Sequence, residues 1–159
     1  MAQPPRAQAT YLDEQLCFAL YAASRAMINN YRPQLDALGL TYPQYLVMLV
    51  LWERREATVT SIGRALQLET GTLSPLLKRL ESAGFVTRRR QEIDERSVLV
   101  SLTEAGRALE DRVPAVQQNI CEATAMDLDG IVDLRSALNS LTAQLRASSE
   151  NHESSTFVP

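Results

Sequence analysis

Histidine is nearly absent from this chain. The 159 residues hold one, His152, near the C-terminal end. Histidine-based acid–base catalysis and histidine-ligated metal sites are therefore not expected, and no cofactor is implied. Cysteine is almost as scarce. Cys17 and Cys121 stand 104 residues apart, which is neither a zinc spacing nor the framework of a small disulfide-stapled domain. In a reducing compartment both are expected as thiols. No apolar run reaches the roughly 18 residues that a membrane-spanning helix needs. The opening Met-Ala-Gln-Pro-Pro-Arg lacks the apolar stretch of a secretory signal, so a cytoplasmic protein is expected. Internal repeats are also missing. Lysine occurs once, as Lys78, against fifteen arginines.

The length suits one domain with a real core, and 45% of the residues are hydrophobic. The net charge of −3 and a pI near 5.2 at first argue against a nucleic-acid partner. Charge is unevenly spread, however. Residues 60–100 hold seven basic and five acidic groups, so this stretch is net positive while the remainder is acidic. Its basic groups bunch between 78 and 96, a local patch compatible with DNA.

Periodicity organises the chain. Residues 1–9 read as a flexible arm. A long helix is expected from Leu12 to about Arg32, with one stripe through Leu12, Leu16, Ala19, Ala23 and Met27 and a second through Cys17, Tyr21, Ser24, Ile28 and Tyr31. A helix apolar on two faces needs two partners, its own core and a second subunit. Pro33 should end or kink it. Thr41 caps the next helix, which has Pro43 in its first turn and closes at Glu53-Arg54-Arg55-Glu56. Thr60 is expected to cap a short helix over 61–68. Thr72 is expected to cap the following one, because Pro75 would then fall at N3, where its missing N–H is harmless. That helix carries Leu73, Leu76, Leu77 and Leu80 and stops at Gly84. The period then changes to two: strands over 85–90 and 97–102 flank a turn over 91–96. Thr103 caps a long helix running to about Ala125 with a bend at Pro114. Asp127 or Asp129 starts a last helix over 131–146, and residues 148–159 should be disordered.

Two helices joined by a tight turn and followed by a basic hairpin make a winged helix-turn-helix. The fold class is thus mainly α with a small β-hairpin wing. It has one domain over 10–147, a DNA-binding part at about 58–102 and helical dimerisation regions at about 10–36 and 103–147. The second helix of such a pair enters the major groove N-terminus first. Thr70, Thr72 and Ser74, with Lys78 and Arg79 one turn later, are the expected contacts. Arg88, Arg89 and Arg90 line the first wing strand. Arg96 sits by the wing tip, where it can enter the minor groove, with Asp94 placed to hold its guanidinium.

The run Gly84-Phe85-Val86-Thr87-Arg88, with Asp94-Glu95-Arg96 and Leu102-Thr103-Glu104-Ala105-Gly106, resembles the multiple-antibiotic-resistance regulator (MarR) family. The Asp-x-Arg wing signature and the Leu-Thr-x-x-Gly helix start are both present. The likeness extends over about 12–146. It implies a triangular homodimer with interlocked terminal helices, bound to a pseudo-palindromic operator in double-stranded DNA.

Cys17 and Tyr21 share a helix face at i and i+4. The positive end of a helix favours the thiolate, which is the form a peroxide oxidises. Leu16-Cys17-Phe18-Ala19-Leu20-Tyr21, Tyr31 and Thr41-Tyr42-Pro43-Gln44-Tyr45 resemble one branch of the family, the organic-hydroperoxide-resistance (OhrR) regulators. The resemblance implies that Cys17 senses organic hydroperoxide, that Tyr31 and Tyr42 hydrogen-bond it across the dimer, and that Tyr21 lies near the thiol. Some members carry a second cysteine where Cys121 falls, which forms an intersubunit disulfide with the oxidised sensor. Others cap the sulfenic acid with a small thiol. The expected function is a repressor that releases its operator when Cys17 is oxidised. The alternative is a regulator relieved by a small phenolic or lipophilic ligand, with Tyr45, Met48 and Trp52 lining a pocket. A thiol peroxidase is disfavoured, because no peroxidase-like strand–helix pattern surrounds Cys17.

Overall fold

The computed structural model describes residues 11–91 and 97–155. The chain divides into two compact units, one up to Val116 and one from Gln117 onward, where the sequence suggested a single domain.

The first unit opens with a single 3-10 turn at Leu12–Glu14, then helix α1 at Leu16–Asp36. Pro33 does not end α1 but lies inside it, and the helix continues for one more turn. Only Leu35 of α1 is buried; Leu16, Phe18, Tyr21, Met27 and Ile28 are all exposed. The apolar faces anticipated for this helix exist, and this unit leaves them uncovered.

Helix α2 spans Tyr42–Arg54. Gln44 Oε1 accepts from both the Thr41 N–H (2.8 Å) and the Thr41 hydroxyl (3.0 Å), which holds the start of the helix. Tyr45, Val47, Met48, Leu51 and Trp52 form the centre of the core. Burial of each such side chain stabilises the fold by about 1.5–3 kcal/mol.

Strand β1 (Glu56–Thr58) follows directly and was not anticipated. Helix α3 is Val59–Leu66, two residues earlier than expected, because Thr58 rather than Thr60 accepts from the Ser61 N–H at 3.1 Å. Gln67, at φ 59°, ends α3 in the left-handed region. The turn into the next helix is tight: a Cβ on Gly63 would stand 2.8 Å from the Leu68 carbonyl oxygen, so only glycine fits without a shift.

Helix α4 spans Thr70–Ser82. The expected cap at Thr72 is wrong, since the N–H groups of Thr72 and Leu73 already bond the Glu69 carbonyl at 3.1 and 3.0 Å. Pro75 therefore sits inside α4. It deprives the Gly71 carbonyl of an intrahelical donor, but Gly71 is exposed and water can reach it. Leu73, Leu77 and Leu80 are buried on the inner face of α4.

Strands β2 (Val86–Arg90) and β3 (Val98–Leu102) form the hairpin. With β1 they make a three-stranded antiparallel sheet in the order β1-β3-β2, in which Ala57 pairs with Val100 and Val86 with Leu102. Thr103 caps helix α5 (Glu104–Ala108) as expected, accepting from the Gly106 N–H at 3.0 Å. The helix then tightens into a 3-10 segment at Leu109–Arg112 before helix α6 begins at Val113. The break precedes Pro114 because a proline is accommodated in the first turn of a helix, where no intrahelical donor is required.

In the second unit α6 runs on to Thr124, and helix α7 spans Leu128–Ser155. Asp127 holds the start of α7 by accepting from the Gly130 N–H at 2.8 Å. The disorder expected from residue 148 is not found as far as Ser155, because α7 continues through it; 156–159 and the expected arm over 1–9 lie outside the described residues. Leu134, Leu138 and Leu145 of α7 are exposed.

Candidate functional site

The outer face of α4 presents the residues anticipated for the major groove. Thr70, Thr72, Ser74, Lys78 and Arg79 are all exposed, while Leu73, Leu77 and Leu80 of the same helix are buried. Ser74 Oγ donates back to the Thr70 carbonyl at 2.8 Å, so its oxygen remains available as an acceptor.

The three wing arginines do not act alike. Successive strand residues point to opposite faces, so Arg88 shares the face of buried Val86 while Arg89 points away. Arg88 is bound to Glu81 near the end of α4: its Nε and one terminal nitrogen donate to Glu81 Oε2 at 2.8 and 2.6 Å, and its backbone N–H donates to Oε1 at 3.2 Å. The side-chain hydrogen bond from Arg88 lowers the Glu81 pKa from its ordinary value. Arg89 and Arg90 are exposed, with no ion-pair partner among the described residues. The expected contacts Asp94 and Arg96 lie outside the described residues. Sequence reasoning missed Glu81, since its pairing with Arg88 crosses from helix to strand and leaves no periodic signal.

The Leu-Thr-x-x-Gly motif locks the wing to the core. The Thr103 hydroxyl donates to the Gly84 carbonyl at 2.6 Å, and its N–H donates to the Phe85 carbonyl at 3.0 Å. Trp52 Nε1 donates to the Gly106 carbonyl at 2.9 Å. Tyr45, Met48 and Trp52, which the small-ligand alternative placed in a pocket, are core residues with at most 5% exposure.

Cys17 is the second residue of α1 and is exposed. Tyr21, one turn on, is engaged by Arg25, which donates to its hydroxyl at 3.2 Å and sits 5.5 Å from its ring centroid. Tyr31 lies on the same unbroken helix, about 21 Å further along at 1.5 Å per residue. One chain therefore holds the thiol and Tyr31 at opposite ends of α1. Tyr31 packs at a tilt against Tyr42 (5.1 Å between centroids) and Tyr45 (6.0 Å), and Tyr45 packs edge-on against Trp52 (6.1 Å). Burial raises the pKa of Tyr42, and burial with the neighbouring Tyr31 and Tyr42 pushes Tyr45 up to about 12. These two hydroxyls stay protonated and able to donate. Beside Tyr42 a groove of about 300 Å³ opens between α1 and α2, lined by Ile28, Arg32, Leu35 and Leu40.

Cys121 lies in the second unit, half-buried on α6, with its carbonyl accepting from the Thr124 hydroxyl at 2.9 Å. Both cysteines are free thiols. Among the described residues no His, Cys, Asp and Glu grouping could hold a metal ion, and no helix is long and apolar enough to cross a membrane.

Comparison with known proteins agrees with this arrangement. Residues 29–113 match the family model "Transcriptional regulator SarA/Rot". The chain is 47% identical over 134 residues to the organic hydroperoxide resistance transcriptional regulator of Bacillus subtilis, covering 84% of this chain and 91% of that one. A structure of reduced AbfR bound to DNA superposes with a TM-score of 0.70 at 39% identity, covering 84% of this chain and 94% of that one. AbfR, a protein of Staphylococcus epidermidis, has also been solved in a disulfide-formed state, which matches with a TM-score of 0.59 at 38% identity over 87% of this chain and 92% of that one. Such relatives are regulators rather than enzymes, and so is this protein. The winged helix-turn-helix, its exposed polar recognition face and these matches together show that the chain belongs to the MarR family of DNA-binding transcriptional regulators, in the branch of the organic-hydroperoxide-resistance regulators.

Proposed function

We propose that this protein is a homodimeric, cytoplasmic repressor that holds a pseudo-palindromic operator while Cys17 is reduced and releases it when an organic hydroperoxide oxidises Cys17. The observation that carries this reading is the placement of Cys17 and the tyrosine cluster at opposite ends of one helix. A thiol and its hydrogen-bond donors separated in this way form a site only when a second α1 lies antiparallel to the first. The exposed apolar faces of α1 and α7 are the surfaces such a dimer would bury. In the dimer Tyr31 and Tyr42 of one subunit donate to the Cys17 sulfur of the other and stabilise its thiolate, while Tyr21 shields it from the side of its own helix.

The chemistry balances without a cofactor. The Cys17 thiolate attacks the terminal peroxide oxygen; an S–O bond forms, the O–O bond breaks, and the departing alkoxide takes a proton to leave as an alcohol. Sulfur loses two electrons and becomes a sulfenic acid. Cys121 then attacks that sulfur, an S–S bond forms, and hydroxide leaves as water on protonation. The Cα atoms must come within about 7 Å for this bond. Movement of the helices to that distance would respace the two recognition helices, which must stay about 34–36 Å apart to sit one DNA turn from each other. The disulfide-formed relative supports this route. Thr70, Thr72, Ser74, Lys78, Arg79, Arg89 and Arg90 are proposed as DNA contacts, with Asp94 and Arg96 at the wing tip.

The test uses a duplex selected from a random library by the reduced protein. Cumene hydroperoxide should dissociate that complex and dithiothreitol should restore it. A complex indifferent to the oxidant would overturn the proposal. The tyrosines have their own signature: Tyr31→Phe and Tyr42→Phe should each slow Cys17 oxidation on the order of tenfold, the effect of losing one hydrogen bond to a charged sulfur. Stopped-flow thiol consumption would measure it, and unchanged rates in both variants would remove the tyrosines from the site.

A further inference from the structure

Arg88 has the exposure and charge of a phosphate contact, yet its hydrogen-bonding groups are turned onto the protein. Three hydrogen bonds join it to Glu81, two from the guanidinium and one from its own backbone N–H. The guanidinium fork and backbone donor together fix both partners, unlike the single-point surface ion pairs that contribute little. The two residues belong to different parts of the reading head: Glu81 is in the last turn of α4, and Arg88 is in the middle of β2. Between them the chain passes through Gly84, at φ 79°, a turn also tied by the Phe85 N–H to the Leu80 carbonyl and by the Thr103 hydroxyl to the Gly84 carbonyl, bonds that hold the start of β2 while the Glu81–Arg88 pair holds its middle. Arg88 stands on the Val86 side of β2, as Arg90 does, but of the two only Arg88 is held by an ion pair among the described residues, and Arg89 lies on the other side.

We infer that Arg88 is a positioning residue, which through Glu81 sets the angle of the wing against the recognition helix and leaves Arg89 and Arg90 to neutralise phosphate. Recognition helix and wing then approach DNA as one rigid piece, so that major-groove and wing contacts form together. Removing either partner lets the wing pivot and weakens binding although no DNA contact has been deleted.

The experiment measures operator affinity across a range of salt concentrations for the full-length reduced protein and its E81Q, R88Q, R88K and E81Q/R88Q variants, with R89Q as the comparison. Circular dichroism first establishes that each is folded. The inference predicts that E81Q weakens binding on the order of tenfold despite removing a negative charge near DNA. R88Q and R88K should weaken it similarly, because a lysine keeps the charge but not the fork. The double variant should be no weaker than either single. The slope of log affinity against log salt should stay unchanged in R88Q and flatten by about 0.9 in R89Q. A phosphate-contacting Arg88 gives the opposite pattern. E81Q would bind as tightly as the parent or tighter, R88K would bind nearly normally, and R88Q would lose about 0.9 of slope. Any of these three results overturns the inference.

Discussion

Replacing Cys17 with serine should leave operator binding within about twofold of the parent and abolish its response to organic hydroperoxide. The affinity should be retained because Cys17 lies at the start of α1, on a different element from the exposed residues of α4 and the wing. Serine is close in size to cysteine, and the site is exposed in the single chain, so no cavity is created there. The response should vanish because a hydroxyl is far too weakly acidic and nucleophilic to reduce a peroxide at neutral pH. The parent complex should weaken by about 100-fold or more under oxidant, a shift of roughly 2.7 kcal/mol in the preference for the DNA-binding state. Fluorescence anisotropy of a labelled duplex, before and after cumene hydroperoxide, measures both quantities. A serine variant that still released DNA would transfer the sensing role elsewhere, with Cys121 the first candidate.

The second large effect concerns stability. Gly106→Ala should destabilise the fold by about 3 kcal/mol, the upper end for forcing an added group into a packed site. The added Cβ would run into the Phe85 carbonyl and stand 3.3 Å from Leu102 Cδ2. Phe85 meets it with backbone, which cannot rotate away as a side chain can. That backbone is also tied down, since the Phe85 carbonyl accepts from the Thr103 N–H. Any retreat of α5 would stretch the bond from Trp52 Nε1 to the Gly106 carbonyl as well. The melting temperature should fall by roughly 6–12 °C, read at fixed protein concentration because a dimer's stability depends on it. Gly71→Ala is the matching control. A Cβ there meets nothing within 4 Å, so this helical glycine should gain up to about 1 kcal/mol on replacement. Equal effects from both variants would show that helix propensity, not the Phe85 contact, governs these positions.

What could be read in the sequence was what neighbouring residues decide among themselves. The leucine stripe of α4, the switch to a two-residue period at Val86 and the Thr103 cap all depend on side chains within a turn of one another. What could not be read depended on distant partners. Strand β1 is three residues long and becomes a strand only by pairing with β3, about 45 positions away. The Thr72 cap failed because avoiding a proline inside a helix is only a local preference: the helix starts earlier, with the Thr72 and Leu73 N–H groups on the Glu69 carbonyl, and the one carbonyl that Pro75 leaves without a donor is on exposed Gly71. The C-terminal end of α7 lacks apolar residues, so periodicity gave no sign of helix there. The same division applies to the site. Cys17, Tyr31 and Tyr42 are proposed from a sequence likeness, whereas the commitment of Arg88 to Glu81 is a matter of three-dimensional geometry. The two apolar sides of α1 were legible because they follow from local spacing, but one of them was expected in the chain's own core, whereas only Leu35 of the helix is buried.

The central claim, that the redox state of Cys17 sets DNA occupancy, is tested most directly by titrating the operator complex with substoichiometric cumene hydroperoxide. The same samples are divided between anisotropy, for the fraction of DNA released, and mass spectrometry of Cys17 and Cys121. The account predicts that release rises in step with loss of the Cys17 thiol and reverses with it under dithiothreitol. Complexes that stay intact with Cys17 fully oxidised, or that dissociate with Cys17 still a thiol, would contradict it.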